Sequence, residues 1–309
     1  GTSIRALAEL GADLNACDDE GRTPGHLAAQ KGQISSIRAL AELGADLNAC
    51  NNNIGRTPAH LAAQMGQISS IRALAELGAD LNACNNNIGR TPAWLAAHQG
   101  QGVSLRALAE LGANLNACDK SGRTPAYIAA EQGQEISIRV LAELGADLST
   151  PSSDGVTPAC IAAHQGHGTS IRILAELGAD LKACDDEGRT PAHFAAQTGQ
   201  ISSIRALAEV GADLNACDTV GCSPVYVAAQ MGHETSIRVL AELGADLNAC
   251  QKDGVTPMCV AAHQGHGTSI RALAELGADV NACDDEGRTP GHLAAQMGQI
   301  SSIRALAEL

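Results

Sequence analysis

Residues 11–43 read GADLNACDDEGRTPGHLAAQKGQISSIRALAEL, and this stretch decides the fold. Asp18-Asp19-Glu20-Gly21 predicts a turn, because Asp can hydrogen-bond to its own backbone and Gly accepts a positive φ. The dipeptide Thr23-Pro24 predicts the start of a helix, with Thr as the N-cap and Pro at the first helical position. Gly32 ends this helix after about two turns, and a second helix then runs to Gly44.

The same unit recurs along the whole chain. Gly-Ala-Asp, once Gly-Ala-Asn, opens it at intervals of 33 or 34 residues, at Gly11, Gly44, Gly78, Gly112, Gly145, Gly178, Gly211, Gly244 and Gly277. Residues 1–10 form a partial repeat, so we expect one repeat array over residues 1–309, with no second domain or linker. Helices this short are marginal alone. The pattern therefore predicts an all-α solenoid, in which neighbouring helix-turn-helix repeats bury one another's apolar faces.

Composition and charge exclude several classes of function. The chain has one Trp, two Tyr and one Phe, so thin layers of small aliphatic side chains replace a large core. The net charge of −14 argues against nucleic acid, which needs clustered Lys and Arg. It also argues against an anionic membrane surface. No apolar run reaches the length of about 18 residues that a membrane span needs, and no targeting signal follows Gly1.

These motifs resemble the ankyrin repeat family. The resemblance rests on the 33-residue period, on Asp-x-x-Gly-x-Thr-Pro-x-His followed by Leu-Ala-Ala, and on Gly-Ala-Asp-x-Asn-Ala. It implies two antiparallel helices per repeat, joined by β-turn or hairpin loops and stacked into a curved array with a concave face. It also implies that the His after Thr-Pro-x is structural and ties the turn to a neighbouring repeat by hydrogen bonds.

The His position varies, which argues against a catalytic role. It is occupied in turn by His26, His60, Trp94, Tyr127, Cys160, His193, Tyr226, Cys259 and His292. No Ser, Cys or paired carboxylate recurs with it as a nucleophile–base pair, and no phosphate-binding loop or zinc-protease motif occurs. We therefore predict a protein that is not an enzyme and needs no cofactor.

Cysteines and histidines are also predicted to be structural. One column of small, semi-buried thiols lies beside the turns, at Cys17, Cys50, Cys84, Cys118, Cys184, Cys217, Cys250 and Cys283. Repeats stack at about 10 Å and disulfides need Cα atoms within about 7 Å, so these thiols should be free. Free thiols fit a reducing intracellular compartment, although an extracellular fibre stays open. The sets Cys160–His164–His167 and Cys259–His263–His266 lack a fourth zinc ligand, so we expect no metal.

Each second helix carries Arg and Glu four residues apart, from Arg5–Glu9 to Arg304–Glu308. We expect exposed i,i+4 ion pairs, each worth about 0.3–0.5 kcal/mol. Stacking could extend these pairs into ladders along a solvated face.

Variation along the repeats suggests where a partner would bind. Framework positions barely change, whereas the turn tips, the His position and the end of the first helix differ between repeats. In ankyrin-like arrays these positions line the concave face that binds other proteins, and exposed turns are free to carry recognition. We therefore predict a protein-interaction scaffold. Its candidate partner-binding residues are Asp19, Glu20, Asn53, Asn87, Trp94, Lys120, Tyr127, Ser153, Tyr226 and Lys252.

A structural role is the alternative, in which further copies of the chain bind end to end. Residues 1–43 and 267–309 are identical except at Leu14/Val280 and Lys31/Met297, and neither end carries the polar cap that solenoids need. We expect exposed apolar side chains at both ends, namely Ile4, Leu7, Leu10, Ile303, Leu306 and Leu309. Such ends favour a long filament.

Overall fold

The computed structural model describes residues 2–51, 54–86 and 88–309. The chain forms two compact units, Gly1–Ser153 and Asp154–Leu309. In the described residues, both units consist of helices joined by turns and loops, without strands. This confirms the predicted all-α fold. None of the helices in the described residues is long and apolar enough to cross a membrane.

The first unit alternates two kinds of helix. The first helices of its repeats are α2 (Pro24–Gln30), α4 (Pro58–Gln64), α6 (Pro92–His98) and α8 (Pro125–Glu131). The second helices are α1 (Thr2–Glu9), α3 (Ile34–Glu42), α5 (Ile68–Glu76), α7 (Gly102–Glu110) and α9 (Glu135–Glu143). First helices pack on first helices, second helices pack on second helices, and the two helices of one repeat pack together.

The second unit repeats this arrangement. Its first helices are α10 (Pro158–Gln165), α12 (Pro191–Thr198), α14 (Pro224–Met231), α16 (Pro257–Gln264) and α18 (Pro290–Gln296). Its second helices are α11 (Gly168–Glu176), α13 (Ile201–Glu209), α15 (Glu234–Glu242), α17 (Gly267–Glu275) and α19 (Ile300–Ala307). The same two kinds of stacking join successive repeats.

Each first helix begins as the Thr-Pro motif predicts, with Ser223 in place of the threonine at the start of α14. The side chain of Thr91, for example, accepts a hydrogen bond from the backbone N–H of Trp94, and Pro92 takes the first helical position. Gly32 has a φ of +72°, in the left-handed region that favours glycine, and α2 ends just before it. The turn and both helix boundaries of the quoted repeat are therefore confirmed.

Stacking buries a narrow, repeated core. In the first unit, Ile71 and Leu74 of α5 and the pair Ala62 and Ala63 of α4 have no exposed surface. Ile204 of the second unit is buried in the same way. Because alanines fill the contact between first helices, successive repeats can approach closely without aromatic side chains.

Polar contacts also join neighbouring repeats. The side-chain oxygen of Asn48 accepts a hydrogen bond of 2.8 Å from the backbone N–H of Asp80, and Asn215 binds Asp246 in the same way. Asn48 and Asn215 occupy equivalent positions of their repeats, which we call the asparagine column. Lys182 takes this position in one repeat of the second unit, where a cavity of about 360 Å³ is lined by Lys182 and Asp213 among others. The asparagine column therefore fixes the register of repeats wherever its amide is present.

Two details of the surface differ from expectation. The second-helix arginines pair with glutamates of the next repeat rather than with the glutamate four residues on, as in Arg205–Glu242 (3.1 Å) and Arg238–Glu275 (2.7 Å). Stacked second helices lie side by side, so the neighbour's carboxylate is within reach. The cysteine column is exposed rather than semi-buried, and the Cys17 thiol contacts the Asn15 carbonyl of its own loop.

Candidate functional site

Backbone hydrogen bonds hold the turn tips of successive repeats side by side. In the first unit, the Lys120 N–H donates to the Ile88 carbonyl and the Ser153 N–H donates to the Ser121 carbonyl. In the second unit, the Lys252 N–H donates to the Val220 carbonyl. Among the described residues, such bonds join the last three tips of the first unit and, with Thr219 to Glu187 and Asp285 to Asp253, the tips from Glu187 to Asp285 of the second.

Beside these tips lies a surface that we call the turn–helix face. It consists of the residue that follows each turn glycine and of the partly exposed side of each first helix. In the first unit it comprises Arg22, Arg56, Arg90, Arg123, Gln30, Gln64, His98 and Glu131. In the second unit it comprises Val156, Arg189, Cys222, Val255, Arg288, His164, Gln197, Gln230, His263 and Gln296.

The predicted binding residues at the turn tips are exposed. Asp19, Glu20, Lys120, Ser153 and Lys252 all present their side chains to solvent. Two of these side chains also bind the preceding tip, because Lys120 Nζ donates to the Asn86 carbonyl and Lys252 Nζ donates to the Thr219 carbonyl. The predicted residues Asn53 and Asn87 lie outside the described residues.

The predicted aromatic residues lie beneath the face. Trp94 is 1% exposed, and Tyr127 and Tyr226 are each 5% exposed. All three occupy the His position of their repeats, where the side chain packs between neighbouring first helices. These three side chains therefore lie beneath the candidate surface and do not form its exposed contacts. We call them the floor of that surface.

The histidines at this position tie repeats together, as the family resemblance implies. His60 accepts the backbone N–H of Thr57 at Nδ1 and lies 2.9 Å from the Arg90 carbonyl through Nε2. Since Nδ1 accepts, Nε2 carries the proton and donates to that carbonyl. His193 makes the equivalent bond to Cys222 in the second unit. Burial lowers the pKa of His60 to about 4, so its ring is neutral at pH 7.

Most turns hold their arginine with a carboxylate. In the first unit, one Asp119 oxygen accepts the backbone N–H of Arg123, and the other accepts its Nε–H at 3.0 Å. Asp185 holds Arg189 of the second unit identically, with 2.8 Å to Nε. In these repeats the guanidinium is neutralised within its own turn.

Two turns of the first unit lack this carboxylate. Asn51 and Asn85 replace the aspartate, in turns that are one residue longer, and their side-chain oxygens still accept the backbone N–H of Arg56 and Arg90. In the part of the chain that the structure describes, the Nε atoms of both arginines and Nδ2 of Asn85 are buried without a hydrogen-bond partner. Sequence reasoning missed this feature, although the change from Asp to Asn was its signal.

Trp94 lies directly beneath one of these arginines. The Arg90 guanidinium is 3.9 Å from the ring centroid, and the His98 ring stacks on Trp94 at 5.4 Å. Burial, reinforced by the charge of Arg90, lowers the pKa of His98. The arginine is thus fixed by a cation–π contact rather than by an anion.

The second unit has a cavity on its turn–helix face. Its volume is about 280 Å³, and its lining includes Arg189, His193, Asp218, Cys222 and Tyr226. Burial, together with Asp218, raises the pKa of the Cys222 thiol to about 12, so the thiol stays protonated. Burial also raises the pKa of Tyr226. This cavity therefore offers mostly neutral hydrogen-bonding and apolar groups.

The two Cys–His–His sets show no sign of a metal site. Burial raises the pKa of Cys160 to about 11, which disfavours the thiolate that binds metal. The His164 ring packs against the edge of Phe194. Across the described ranges, no group of three or more His, Cys, Asp or Glu side chains is placed to hold a metal ion.

Comparison with known proteins identifies the repeat. A family model described as ankyrin repeats (3 copies) matches residues 2–85, 82–152, 138–218, 159–249 and 225–309. The comparison with curated proteins gives no match. The stacked helix pairs, the Thr-Pro helix starts and the histidine ties agree with the family match over the whole length, and the chain belongs to the ankyrin repeat family.

Proposed function

We propose that this protein is a non-enzymatic scaffold that binds another protein at its turn tips and turn–helix face. Ankyrin repeats generally serve as protein–protein interaction modules, and members of the family are typically not enzymes. The observation that carries the proposal is the contrast between two surfaces. Second-helix arginines such as Arg205 are paired with glutamates. On the turn–helix face, by contrast, Arg56 and Arg90 have no carboxylate in their own turns, and the second unit has a cavity.

A peptide-display selection against the 309-residue chain tests this function. Selected peptides are then measured against tip variants, such as Lys120→Ala and Lys252→Ala, and against the matched variants Arg38→Ala and Arg205→Ala on the second helices. We expect affinity to fall for variants of the tips or the turn–helix face and to stay unchanged for second-helix variants. Binders that map to the second helices, or a selection that yields no binder, would contradict the proposal.

End-to-end assembly of this polypeptide is a second candidate. Leu7 of α1 is 53% exposed, whereas the equivalent Leu40 is fully buried. Ile303 of α19 is 42% exposed, whereas the equivalent Ile270 is fully buried. The expected exposure is also present at Leu10 and Leu309 but is only partial at Ile4 and Leu306. Burying one such side chain is worth about 1.5–3 kcal/mol, which favours a head-to-tail contact.

Light scattering of the 309-residue polypeptide tests this second candidate. We expect its average mass to rise with concentration, and Leu10→Glu combined with Leu306→Glu to reduce that rise. Leu43→Glu is the matched control, because Leu43 occupies the position of Leu10 within the stack. A particle that stays monomeric at high concentration would exclude end-to-end assembly and leave the scaffold role.

A further inference from the structure

We propose that Arg56 and Arg90 of the first unit bind the carboxylates of an acidic segment in the partner protein. This inference rests on the proposed function and names the chemistry of the segment that the turn–helix face accepts. Three features carry it: two arginines without an internal carboxylate, their arrangement on consecutive repeats, and an excess of positive charge around them.

The first feature is the missing carboxylate. Arg22 and Arg123 each donate Nε–H to an aspartate in their own turn, at 2.9 and 3.0 Å. Asn51 and Asn85 remove that acceptor from the two repeats between them. In the described residues, the Arg56 side chain donates a hydrogen bond from Nη1 to the Gln64 side-chain oxygen at 3.1 Å, and this acceptor is neutral. Two guanidiniums on adjacent repeats therefore have no carboxylate in their own turns.

The second feature is the balance of charge around the two arginines. Arg123 adds a third cation, while the carboxylates that act on this group are Asp119 and Glu131. The local sum is positive, although the whole chain carries a net charge of −14. The net negative charge of the whole chain repels anionic ligands at long range. Only an anion whose carboxylates contact these two arginines directly is therefore expected to bind here.

The third feature is spacing. Arg56 and Arg90 follow the turn glycines of stacked repeats, so helix packing spaces their backbones by about 8–10 Å. In a polyproline II segment, side chains three residues apart lie on one side and are separated by about 9.3 Å. Carboxylates at every third residue of an extended segment therefore match the spacing of the repeats that carry the two arginines. The spacing of the two arginines gives no such match to nucleic acid or to a small anion, so it favours the acidic segment as the ligand.

Trp94 provides a direct reporter of occupancy. It is the only tryptophan of the chain, and the Arg90 guanidinium lies 3.9 Å from its ring. A carboxylate that binds Arg90 changes the charge next to the indole, so we expect Trp94 fluorescence to shift when the site is filled. Calorimetry supplies a second readout that does not depend on the indole.

The experiment titrates the 309-residue chain with a peptide of repeated Glu-Pro-Pro triplets. The comparison peptides are repeated Gln-Pro-Pro, which lacks charge, and a peptide of the same composition with its glutamates adjacent. We expect the Glu-Pro-Pro peptide to bind most tightly, and its affinity to fall as salt is raised. Equal binding of the Gln-Pro-Pro or the adjacent-glutamate peptide would overturn the inference.

Matched variants locate the binding. Arg56→Val combined with Arg90→Val uses a residue that the chain itself places at this position, in Val156 and Val255. We expect affinity for the Glu-Pro-Pro peptide to fall at least about tenfold, because two charge-assisted contacts are lost. Arg38→Val combined with Arg72→Val changes the net charge equally on the second helices and should leave affinity within about twofold. Unchanged affinity in the first variant would overturn the inference.

The remaining outcomes separate this inference from the proposed function. If selected peptides bind the turn–helix face but are not acidic and tolerate the Arg56→Val and Arg90→Val changes, the inference fails and the scaffold function stands. If no selected peptide maps to the turn tips or to the turn–helix face, the proposed function fails as well. Inorganic phosphate that displaces the peptide at equal charge concentration would show a general anion site and overturn the assignment to a spaced acidic segment.

Discussion

The turn–helix faces of the two units differ more than their frameworks do. In the first unit, an arginine follows every turn glycine. In the second unit the same position holds Val156, Arg189, Cys222, Val255 and Arg288, so the cationic row is interrupted by apolar side chains and a thiol. The first face is therefore suited to acidic ligands, and the second offers a more neutral cavity.

A single turn position decides whether each arginine is available. Asp185 and Asp119 neutralise the arginines of their own turns, whereas Asn85 makes the same backbone contact without a negative charge. In each case the side-chain oxygen accepts the backbone N–H of the arginine, although the asparagine turn is one residue longer. Repeat proteins can therefore change the charge of a binding face without changing their stacking, because the framework and the charge depend on different atoms of one side chain.

The largest expected effect comes from the floor of the first face. Trp94→Ala removes a ring that is 1% exposed and supports Arg90, so we expect the free energy of unfolding to fall by about 3–5 kcal/mol. Urea unfolding followed by circular dichroism measures the loss. Trp94→Tyr is the control, because Tyr127 fills this position in the next repeat. A loss below about 1 kcal/mol for Trp94→Ala would show that the floor is not a packed contact.

Acid should weaken the histidine ties of both units. The folded-state pKa of His60 is about 4, against 6.5 for a free histidine, because burial disfavours its charged form. Unfolded chains thus bind a proton that the folded chain excludes between these pH values. The stabilisation is complete above pH 6.5 and is lost as the pH falls toward 4, by about 3 kcal/mol for this one group.

Unfolding free energies measured from pH 7 to pH 4 test this expectation. His60→Cys uses the residue found at Cys160 and Cys259, and it should reduce the pH dependence although it also lowers stability. Part of the dependence remains in that variant, because burial also lowers the pKa of His26 and His193. An unchanged pH dependence would mean that His60 does not exclude its proton.

The framework was predictable from sequence, because each of its elements depends on local chemistry. Pro24 and Gly32 fix a helix start and a helix end by their backbone preferences, and the 33-residue period indicates stacking. Contacts between repeats were harder to predict. The partner of Arg205 depends on which carboxylate lies across the stack. The burial of Trp94 depends on how closely the first helices approach, which no local pattern gives.

The candidate site was only partly predictable for the same reason. Exposure of Lys120 and Lys252 follows from their place at the turn tip, and the structure shows both side chains in solvent. Their role in partner binding stays a prediction. The unpaired state of Arg90 depends on the absence of one carboxylate oxygen at Asn85, in a turn that is one residue longer. Only the geometry of the folded turn makes that difference visible.

Asn85→Asp should neutralise Arg90 within its own turn, as Asp185 neutralises Arg189 in the second unit. Asn85 and Arg90 share the backbone contact that Asp119 and Arg123 make, so we expect the new carboxylate to accept from Arg90 Nε as Asp119 accepts from Arg123 Nε. We expect the free energy of unfolding to rise by about 1–2 kcal/mol, because two unpaired buried donors are replaced by one charge-assisted bond. Affinity for the Glu-Pro-Pro peptide should fall at the same time.

The reverse substitution is the matched control. Asp119→Asn removes the carboxylate that holds Arg123, so we expect it to lower stability and to strengthen binding of the acidic peptide. Denaturant unfolding and the Trp94 fluorescence titration measure the two effects. If both substitutions shift peptide affinity in the same direction, the charge of the turn does not control the face.

The smallest effect is expected where the two units are alike. Arg72 and Arg205 each pair with a glutamate of the next repeat, and about half of each arginine side chain remains exposed. Solvent and salt screen such pairs, so Arg72→Gln and Arg205→Gln should each lower the free energy of unfolding by no more than about 0.5 kcal/mol. Glutamine retains part of the aliphatic stem, so the substitution tests mainly the charge. Denaturant unfolding at low and high salt, with Glu110→Gln and Glu242→Gln completing the two double-mutant cycles, measures the coupling. A coupling above about 1 kcal/mol that persists in high salt would show that the ion pairs stabilise the stacking of the second helices. The second-helix surface and the turn–helix face would then differ in their contribution to stability as well as in recognition.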